Sequence, residues 1–330
     1  MKKIFALLLS AALLVTLLAA CGGGNTTDTD TDTQEPAADA STTQVEEQEP
    51  DTGDASKDDP LNQDEIGEKE LLVVSFGTSY NDSRRETIGA IEKAMQTAFP
   101  DYSVRRAFTS QIIIDHVKDR DGVTIDNVEQ ALERAVNNGV KTLVVQPTHL
   151  MNGLEYEELT DELAKYSDSF EKIAIGDPLL TSDADFEAVM TAITDATKDA
   201  ADGKTAICFM GHGTTADSNS VYSKMQTLLT DKGFNDYYVG TVEATPSLDD
   251  VLAAVQKGSY EKVVLRPLMI VAGDHANNDM AGDEDDSWKG TFEKAGYTVD
   301  CQVEGLGQLE AIQQLFVEHA KAAVASAEAE

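Results

Sequence analysis

The chain has 330 residues, of which 60 are acidic and only 25 are basic, so its formal net charge at pH 7 is −35. Proteins that bind nucleic acid carry a basic surface for the phosphate backbone, and this composition therefore argues against nucleic acid as a partner. The three cysteines, Cys21, Cys208 and Cys301, are too far apart to form a short-spaced metal-binding pair.

The first 21 residues have the pattern of an export signal. Lys2 and Lys3 precede an apolar stretch over 4–18, and small residues lead to Cys21. This order is typical of a secretory signal peptide, and a cysteine directly after the small residues predicts a lipoprotein with a lipidated Cys21 at its new N-terminus. The alternative is an uncleaved anchor, for which the apolar stretch is short. We expect an extracytoplasmic protein, lipid-anchored to the membrane on its periplasmic or outer face.

Residues 22–70 form an acidic stretch rich in Thr, Asp, Glu, Gln, Ala and Gly, with almost no large apolar side chain. Such a segment cannot bury enough apolar surface to offset the entropy of ordering it. It is therefore predicted to be a disordered tether between Cys21 and the folded part of the chain.

From Leu71 onward, short runs rich in β-branched residues alternate with segments of helical periodicity. This alternation predicts parallel sheets with covering helices. An S-x-x-E sequence at Ser83 has the form of a capping box and predicts a helix that begins there. We predict an α/β fold of two similar Rossmann-like lobes, 71–200 and 201–330, each a short parallel sheet flanked by helices, with a cleft between them. The predicted strands are Leu71–Phe76, Tyr102–Ala107, Thr142–Gln146, Lys172–Ile175, Thr205–Met210, Tyr237–Val242, Lys262–Val271 and Tyr297–Val303.

The two halves repeat each other in their motifs. VVSFGTS (73–79) parallels CFMGHGT (208–214), and VVQPTHLMNGLE (144–155) parallels VLRPLMIVAGDH (264–275). The second pair of segments aligns Glu155 with His275. An old duplication explains this repetition. Because open α/β sheets bind ligands at the carboxyl ends of their strands, the cleft between the lobes is the predicted ligand site.

Three potential metal ligands follow three consecutive strands of the second lobe. His212 follows the first strand between two glycines, Glu243 follows the second, and His275 follows the third. Neighbouring strands lie about 4.8 Å apart, so the three side chains can converge. Two imidazoles and a carboxylate suit a divalent transition metal and leave coordination positions open. Each residue taken alone also fits an ordinary polar or ion-paired role, so the prediction of a metal site depends on the coincidence of all three.

The other histidines are weaker candidates. His149 ends a strand of the first lobe and is expected to face the same cleft. His116 lies in a predicted helix and is expected to be structural or exposed. His319, on the C-terminal helix, is expected to be solvated.

Six segments match the motifs of one known family in their order and spacing. They are LLVVSFGTSYNDSRRETI, RAFTSQIII, GHGT, VEATPS, PLMIVAGDHANNDMAGDEDDSWK and GLG. The sequence resembles the anaerobic-type sirohydrochlorin cobaltochelatases from about Leu71 to about Ala320. This resemblance implies a single-chain chelatase with the two-lobed α/β fold of ferrochelatase.

The resemblance also implies an activity and the residues that perform it. His212, Glu243 and His275 match the metal-binding residues of the family, and His212 matches the histidine assigned as base for the pyrrole protons. The implied reaction inserts Co²⁺ into sirohydrochlorin and releases two protons, in cobalamin or tetrapyrrole biosynthesis. Co²⁺ is then a substrate metal, with Fe²⁺ and Ni²⁺ as alternatives, and no permanently bound cofactor is expected.

Sirohydrochlorin carries several carboxylates, so cationic side chains are expected around it in this acidic protein. Arginine forks match carboxylates well, and the Arg105–Arg106 pair is the preferred candidate. Structural ion pairs are the alternative role for both arginines. Glu155 and His149 are further candidates for contact with the substrate. Three other arginines are also candidates, namely Arg84, Arg85 and Arg266.

The export signal leaves a second function open, because most members of the family work in the cytoplasm. An exported relative either inserts metal or binds a metal ion or a tetrapyrrole outside the membrane. In the second case it would feed an uptake system, with a metal or tetrapyrrole transporter as its partner.

Overall fold

The structure is a computed structural model that describes residues 52–329. The predicted signal peptide, Cys21 and the first part of the predicted tether lie outside these residues. Among the helices of residues 52–329, none has the length and apolar character needed to cross a bilayer.

Two four-stranded parallel sheets form the framework of the described residues. The strands are β1 Lys69–Ser75, β2 Ser103–Phe108, β3 Thr142–Pro147, β4 Lys172–Ile175, β5 Thr205–Gly211, β6 Tyr237–Thr241, β7 Lys262–Pro267 and β8 Thr298–Cys301. The strand order is β2-β1-β3-β4 in the first sheet and β6-β5-β7-β8 in the second, so the two sheets share one topology. The predicted α/β fold and its internal repeat are confirmed, and a strand occurs at each of the eight predicted places.

Helices cover both sheets, as parallel strands require crossover connections. They are α1 Asn81–Glu86, α2 Ile88–Ala98, α3 Gln111–Asp121, α4 Val128–Asn137, α5 Leu154–Ala164, α6 Asp183–Thr197, α7 Ser220–Asp231, α8 Leu248–Val255, α9 Trp288–Lys294 and α10 Glu310–Ala329. Capping boxes at Asn127, Ser182 and Ser247 begin α4, α6 and α8. The capping box predicted at Ser83 is wrong, because α1 already begins at Asn81 and Ser83 lies inside it.

One apolar core extends through both lobes. It contains Leu71 and Val73 of β1, Ile207 and Phe209 of β5, and Phe316 of α10. Side chains alternate between the two faces of a strand, so the intervening residues of β1 and β5 form separate clusters on the outer faces of the sheets. Burial of these two faces explains why the strands read as continuous apolar runs.

The third strand of the second lobe is shorter than predicted. Its apolar run continues to Val271, but β7 ends at Pro267. Beyond Pro267 the apolar side chains pack at the seam between the lobes: Leu268 is fully buried in the core that both lobes share, and Val271 packs against the first-lobe cluster that contains Phe108. Hydrophobic periodicity alone does not distinguish an irregular segment buried between the lobes from a buried strand.

The predicted domain limits need two corrections. Residues 52–68, assigned to the tether, pack on the first lobe, and Leu61 among them is 7% exposed. They order because Asp58 pairs with two buried arginines, described below. At the other end, α10 leaves the second lobe and packs against β3, β4, α2 and α6 of the first. His319 on α10 is consequently hydrogen-bonded to Asp185 (3.1 Å) rather than solvated.

Glu70 generates a prediction about stability. It is 2% exposed, and burial raises its pKa to about 8, against the opposing charge of Arg105. Because this pKa lies above the value of about 4.5 in an unfolded chain, the folded state holds the proton, and the free energy of unfolding falls as the pH rises from about 5 to about 8. Glu70→Gln has no carboxyl group to lose its proton, so its free energy of unfolding should not fall in this way. Between pH 5 and pH 8 the variant should therefore gain roughly 1–4 kcal/mol of stability relative to wild type.

The measurement is urea denaturation of both proteins at the two pH values. Glu68→Gln is the matched control, because the Glu68 side chain is 68% exposed and pairs with Lys141 at the surface. The prediction is wrong if Glu70→Gln and wild type show the same pH dependence.

Candidate metal site

His212, Glu243 and His275 meet at the carboxyl edge of the second sheet. One ligand atom from each lies within 4.8 Å of the other two. His212 Nε2 is 4.0 Å from Glu243 Oε1, and the two imidazole rings stand edge to face with centroids 4.7 Å apart. The convergence expected from three consecutive strand ends is thus present, although the residues lie far apart in sequence.

The glycines around His212 allow its neighbours to approach. A Cβ on Gly211 would lie 2.1 Å from the ring of Tyr222, so only glycine leaves room for that ring against the end of β5. Gly213 has φ +89°, a conformation that favours glycine, and a Cβ there would lie 2.9 Å from the backbone of Ala244. The Gly-His-Gly sequence therefore brings His212 close to the loop that carries Glu243.

Backbone hydrogen bonds hold Glu243 beside His212. The Glu243 N–H donates to the His212 carbonyl at 2.9 Å, and the Val242 N–H donates to the Gly211 carbonyl at 3.0 Å. These bonds continue the pairing of β5 and β6 beyond the strands. The carboxylate is consequently carried by a fixed backbone, while its side chain is 57% exposed.

Both histidines have their Nδ1 atoms occupied. His212 Nδ1 is 2.7 Å from the Gly213 carbonyl, which can only accept, so Nδ1 carries the proton. His275 Nδ1 is 2.7 Å from Asp279 Oδ2. In each ring the Nε2 lone pair is then available to a metal, and an outer carboxylate or carbonyl that fixes the ring is typical of metal-ligating histidines.

Asp279 is the residue that sequence reasoning missed. It lies on the π-helical turn Ala276–Met280, which directly follows His275. Such turns are rare and are found frequently at functional sites. The available signal was the spacing of four residues between His275 and Asp279, which brings two side chains together on a helix.

The three ligands are accessible from outside. The side chains of His212 and His275 are 48% and 33% exposed. Among residues 52–329, these three form the one group of histidine, cysteine or acidic side chains with the spacing of a metal site. Three protein ligands leave positions open for water or for a substrate atom.

Glu155 approaches this cluster from the first lobe. It lies in the first turn of α5, and partial burial raises its pKa while the charge of His212 lowers it. The neighbouring Gly153 contacts Ser218 of the second lobe, since a Cβ on that glycine would lie 3.3 Å from Ser218 Oγ. The internal alignment of Glu155 with His275 therefore corresponds to two residues near one cleft.

His149 does not join the cluster. It is 7% exposed, burial lowers its pKa to about 4, and neither ring nitrogen has a hydrogen-bond partner within the described residues. It is a neutral, buried side chain, so the prediction that it contacts the substrate is not supported by its position.

The positions of Arg105 and Arg106 do not support the prediction that they hold substrate carboxylates. Arg106 is 1% exposed and pairs with Asp58 and Glu92, each at 2.6 Å. Arg105 is 8% exposed, and its Nη1 donates to the Val104 carbonyl at 3.0 Å. Both guanidinium groups are buried against the first sheet, where protein groups surround them, and the alternative of structural ion pairs holds for Arg106.

Exposed apolar side chains follow the strands of the first lobe. Phe76 comes after β1, Ile112 after β2 and Leu154 after β3, and they are 48%, 82% and 58% exposed. Each follows the strand of the first lobe that is equivalent to a strand preceding one of the metal-ligand candidates in the second lobe. One lobe thus presents apolar side chains at its strand ends and the other presents potential ligands.

Two similar parallel-sheet lobes of this kind are shared with solved chelatase structures. The structure is similar to SirB from Bacillus subtilis with Fe³⁺ (TM-score 0.57, 14% identity), covering 80% of this chain and 98% of that one. It is also similar to the sirohydrochlorin chelatase SirB from Bacillus subtilis subspecies spizizenii in complex with cobalt (TM-score 0.54, 15% identity), with the same coverage.

The chain belongs to the cobalt chelatase (CbiK) family, whose model matches residues 69–325. It is 38% identical over 251 residues to the sirohydrochlorin cobaltochelatase of Salmonella typhimurium, covering 76% of this chain and 94% of the relative. It is 30% identical over 260 residues to the sirohydrochlorin cobaltochelatase CbiKC of Nitratidesulfovibrio vulgaris, covering 78% and 91%.

Asp279→Ala is expected to weaken the binding of Co²⁺ by roughly 10–100-fold, because His275 loses the carboxylate that orients its ring. Isothermal titration calorimetry measures the change. Asp274→Ala is the matched control: it removes one negative charge from the same loop, and Asp274 is hydrogen-bonded to Asn278 instead of to His275. Equal losses in the two variants would contradict an orienting role for Asp279.

Proposed function

We propose that this protein is a sirohydrochlorin cobaltochelatase that inserts Co²⁺ into sirohydrochlorin with release of two protons, as a step of cobalamin or tetrapyrrole biosynthesis. The observation that carries the proposal is the convergence of His212, Glu243 and His275 within 4.8 Å in a member of the cobalt chelatase family. The names of the two relatives state the same activity.

In this proposal the three side chains hold the incoming ion through His212 Nε2, His275 Nε2 and the Glu243 carboxylate. The ion is a substrate, so it must be released to the macrocycle. The exposure of the three side chains, each one-third or more, allows the ion to arrive from solvent and to leave again. Three protein ligands also leave coordination positions open for the macrocycle nitrogens. The bonds from the two Nδ1 atoms keep both lone pairs directed outward during the exchange.

Metal insertion also requires acceptors for two pyrrole protons. A neutral imidazole accepts a proton near neutral pH, which gives His212 a second role once the ion leaves it. Glu155 is the other acceptor that we propose, because it faces the cluster from the first lobe and its pKa is raised above the usual value of a glutamate. An acceptor on each lobe would serve the two faces of a flat macrocycle.

We propose that the macrocycle lies with one face on the apolar side chains of the first lobe. Phe76, Ile112 and Leu154 are large, exposed apolar residues, and each follows a strand of the first sheet. A planar tetrapyrrole ring is a natural partner for such an apolar surface, and ligand sites commonly combine apolar walls with a few polar groups. The acidic surface of the protein leaves the peripheral carboxylates of the substrate best placed in solvent.

The decisive experiment follows the absorbance change of sirohydrochlorin on mixing with Co²⁺ and purified protein. Wild type should accelerate metallation, while His212→Ala and His275→Ala should lower the rate by at least about 100-fold, toward the spontaneous rate, because the ion loses a ligand. His116→Ala is the matched control, since His116 is an exposed histidine on α3. A wild-type rate equal to the spontaneous one would exclude the proposed activity.

The same assay with Fe²⁺ and Ni²⁺ tests the choice of metal. Two histidines and a carboxylate accept several divalent ions, and the general order of affinities does not select Co²⁺. We propose Co²⁺ because the relatives are named for it. Faster insertion of Fe²⁺ than of Co²⁺ at equal free concentration would change this assignment.

We further propose that the protein is exported and lipid-anchored through Cys21. The pattern of a basic start, an apolar stretch and small residues before Cys21 supports it. This location favours a second candidate function, the capture of a metal ion or tetrapyrrole for an uptake system. That function predicts tight binding of metallated sirohydrochlorin without turnover in the assay above.

Anchoring is tested with Cys21→Ser in the full chain. Wild type should sediment with membranes and incorporate a labelled fatty acid, whereas Cys21→Ser should lose the label because it lacks the thiol that carries the lipid. Fractionation and label incorporation are the measurements, and Cys301→Ser is the matched control. Equal labelling of wild type and Cys21→Ser would contradict the anchor.

A further inference from the structure

The segment 52–68, which we call the arm, precedes the part of the chain that matches the family model, from residue 69 onward. It is nevertheless built into the first lobe. The Leu61 carbonyl accepts a hydrogen bond from the Arg106 N–H at 3.2 Å, and Asn62 Nδ2 donates to the Thr124 carbonyl at 2.9 Å. The arm is therefore a fixed part of the fold that lies outside the match to the family.

The arm completes the start of α1. This helix has only six residues, and its N-cap residue Tyr80 provides no side-chain hydrogen bond. Instead, the Thr52 carbonyl accepts the Asp82 N–H at 2.9 Å, and the Gly53 carbonyl accepts Asn81 Nδ2 at 3.1 Å. Backbone groups of the arm thus satisfy polar groups that a short, uncapped helix leaves open.

Asp58 of the arm then fixes α1 through Arg84. Asp58 Oδ2 is 2.6 Å from Arg84 Nε, and the two side chains are 4% and 0% exposed. Arg84 Nη1 donates to the Thr78 carbonyl at 3.1 Å, and Nη2 donates to Asn81 Oδ1 at 2.5 Å. The orientation of this buried guanidinium, and with it the loop that contains Thr78, depends on the carboxylate of Asp58.

Both α1 and this loop contact the second lobe immediately before His275. Ser83 Oγ accepts a hydrogen bond from the Ala272 N–H at 3.0 Å. Thr78 Oγ1 lies 3.0 Å from the position that a Cβ on Gly273 would occupy. Residues 272 and 273 are therefore held from the first lobe, three and two residues before the metal-ligand candidate His275.

We propose that Asp58 is a positioning residue for the metal site, and that it acts on His275 through Arg84, α1 and the Ser83–Ala272 hydrogen bond. The inference rests on the proposed function, because it assumes that His275 binds the metal. Loss of the Asp58 charge leaves the fully buried Arg84 without its carboxylate partner, which is strongly unfavourable. Because Arg84 lies on α1, we expect α1 to move in response. The loop before His275 then loses its fixed support.

The test uses the full chain and Co²⁺ alone as the probe. Asp58→Asn should weaken Co²⁺ binding about tenfold, the lower range for residues that support metal ligands, and should alter the visible absorption of bound Co²⁺, which reports its coordination. Ser83→Ala should act in the same direction and leaves no buried charge unpaired, so it folds even if Asp58→Asn does not. Asp64→Asn is the matched control, because Asp64 is an arm carboxylate that pairs with Arg134 at the surface.

The double variant Asp58→Asn/Ser83→Ala distinguishes a connected path from two separate effects. Its loss of affinity should be smaller than the product of the two single losses. A lower melting temperature with unchanged Co²⁺ affinity and spectrum in Asp58→Asn and Ser83→Ala would overturn the inference, because Asp58 would then have only a structural role. Wild type that binds no Co²⁺ would instead overturn the proposed function, and the inference with it.

Discussion

The structure depends on one geometric constraint, the alignment of parallel strand ends at a common edge. Because β5, β6 and β7 run in the same direction, the residues that follow them emerge side by side. The second lobe places two imidazoles and a carboxylate after these strands, and the first lobe has large exposed apolar side chains after the equivalent strands. A duplicated framework thereby presents two different chemistries to one cleft, and each lobe alone would offer half of what metal insertion needs.

The sequence patterns predicted the features that depend on local periodicity and on the order of helices and strands along the chain. The eight strands, the repeat of two lobes and the convergence of His212, Glu243 and His275 all follow from short motifs and from the parallel connection rule. The strand predicted through Val271 failed because burial between lobes and burial within a sheet produce the same apolar run. Ser83 failed as a helix start because the helix begins two residues earlier, at Asn81, where the Thr52 carbonyl of the arm accepts the Asp82 N–H.

The partners of charged side chains could not be read from the sequence. Nothing near Arg106 in the chain indicates that Asp58, 48 residues earlier, lies beside it. The acidic composition around Asp58 predicted disorder, yet one buried carboxylate between two guanidinium groups gives the arm a fixed position. Asp279 was missed for a related reason: its spacing from His275 is informative only once that stretch is known to be helical.

The return of α10 to the first lobe has a consequence for how the molecule is made. Phe316 and Ala320 of α10 fill the same core as Leu71 of the first strand, so that core stays incomplete until α10 has been synthesised. The amino-terminal half cannot mature by itself as the polypeptide emerges from the ribosome. The final packing of the first lobe therefore follows the synthesis of the second.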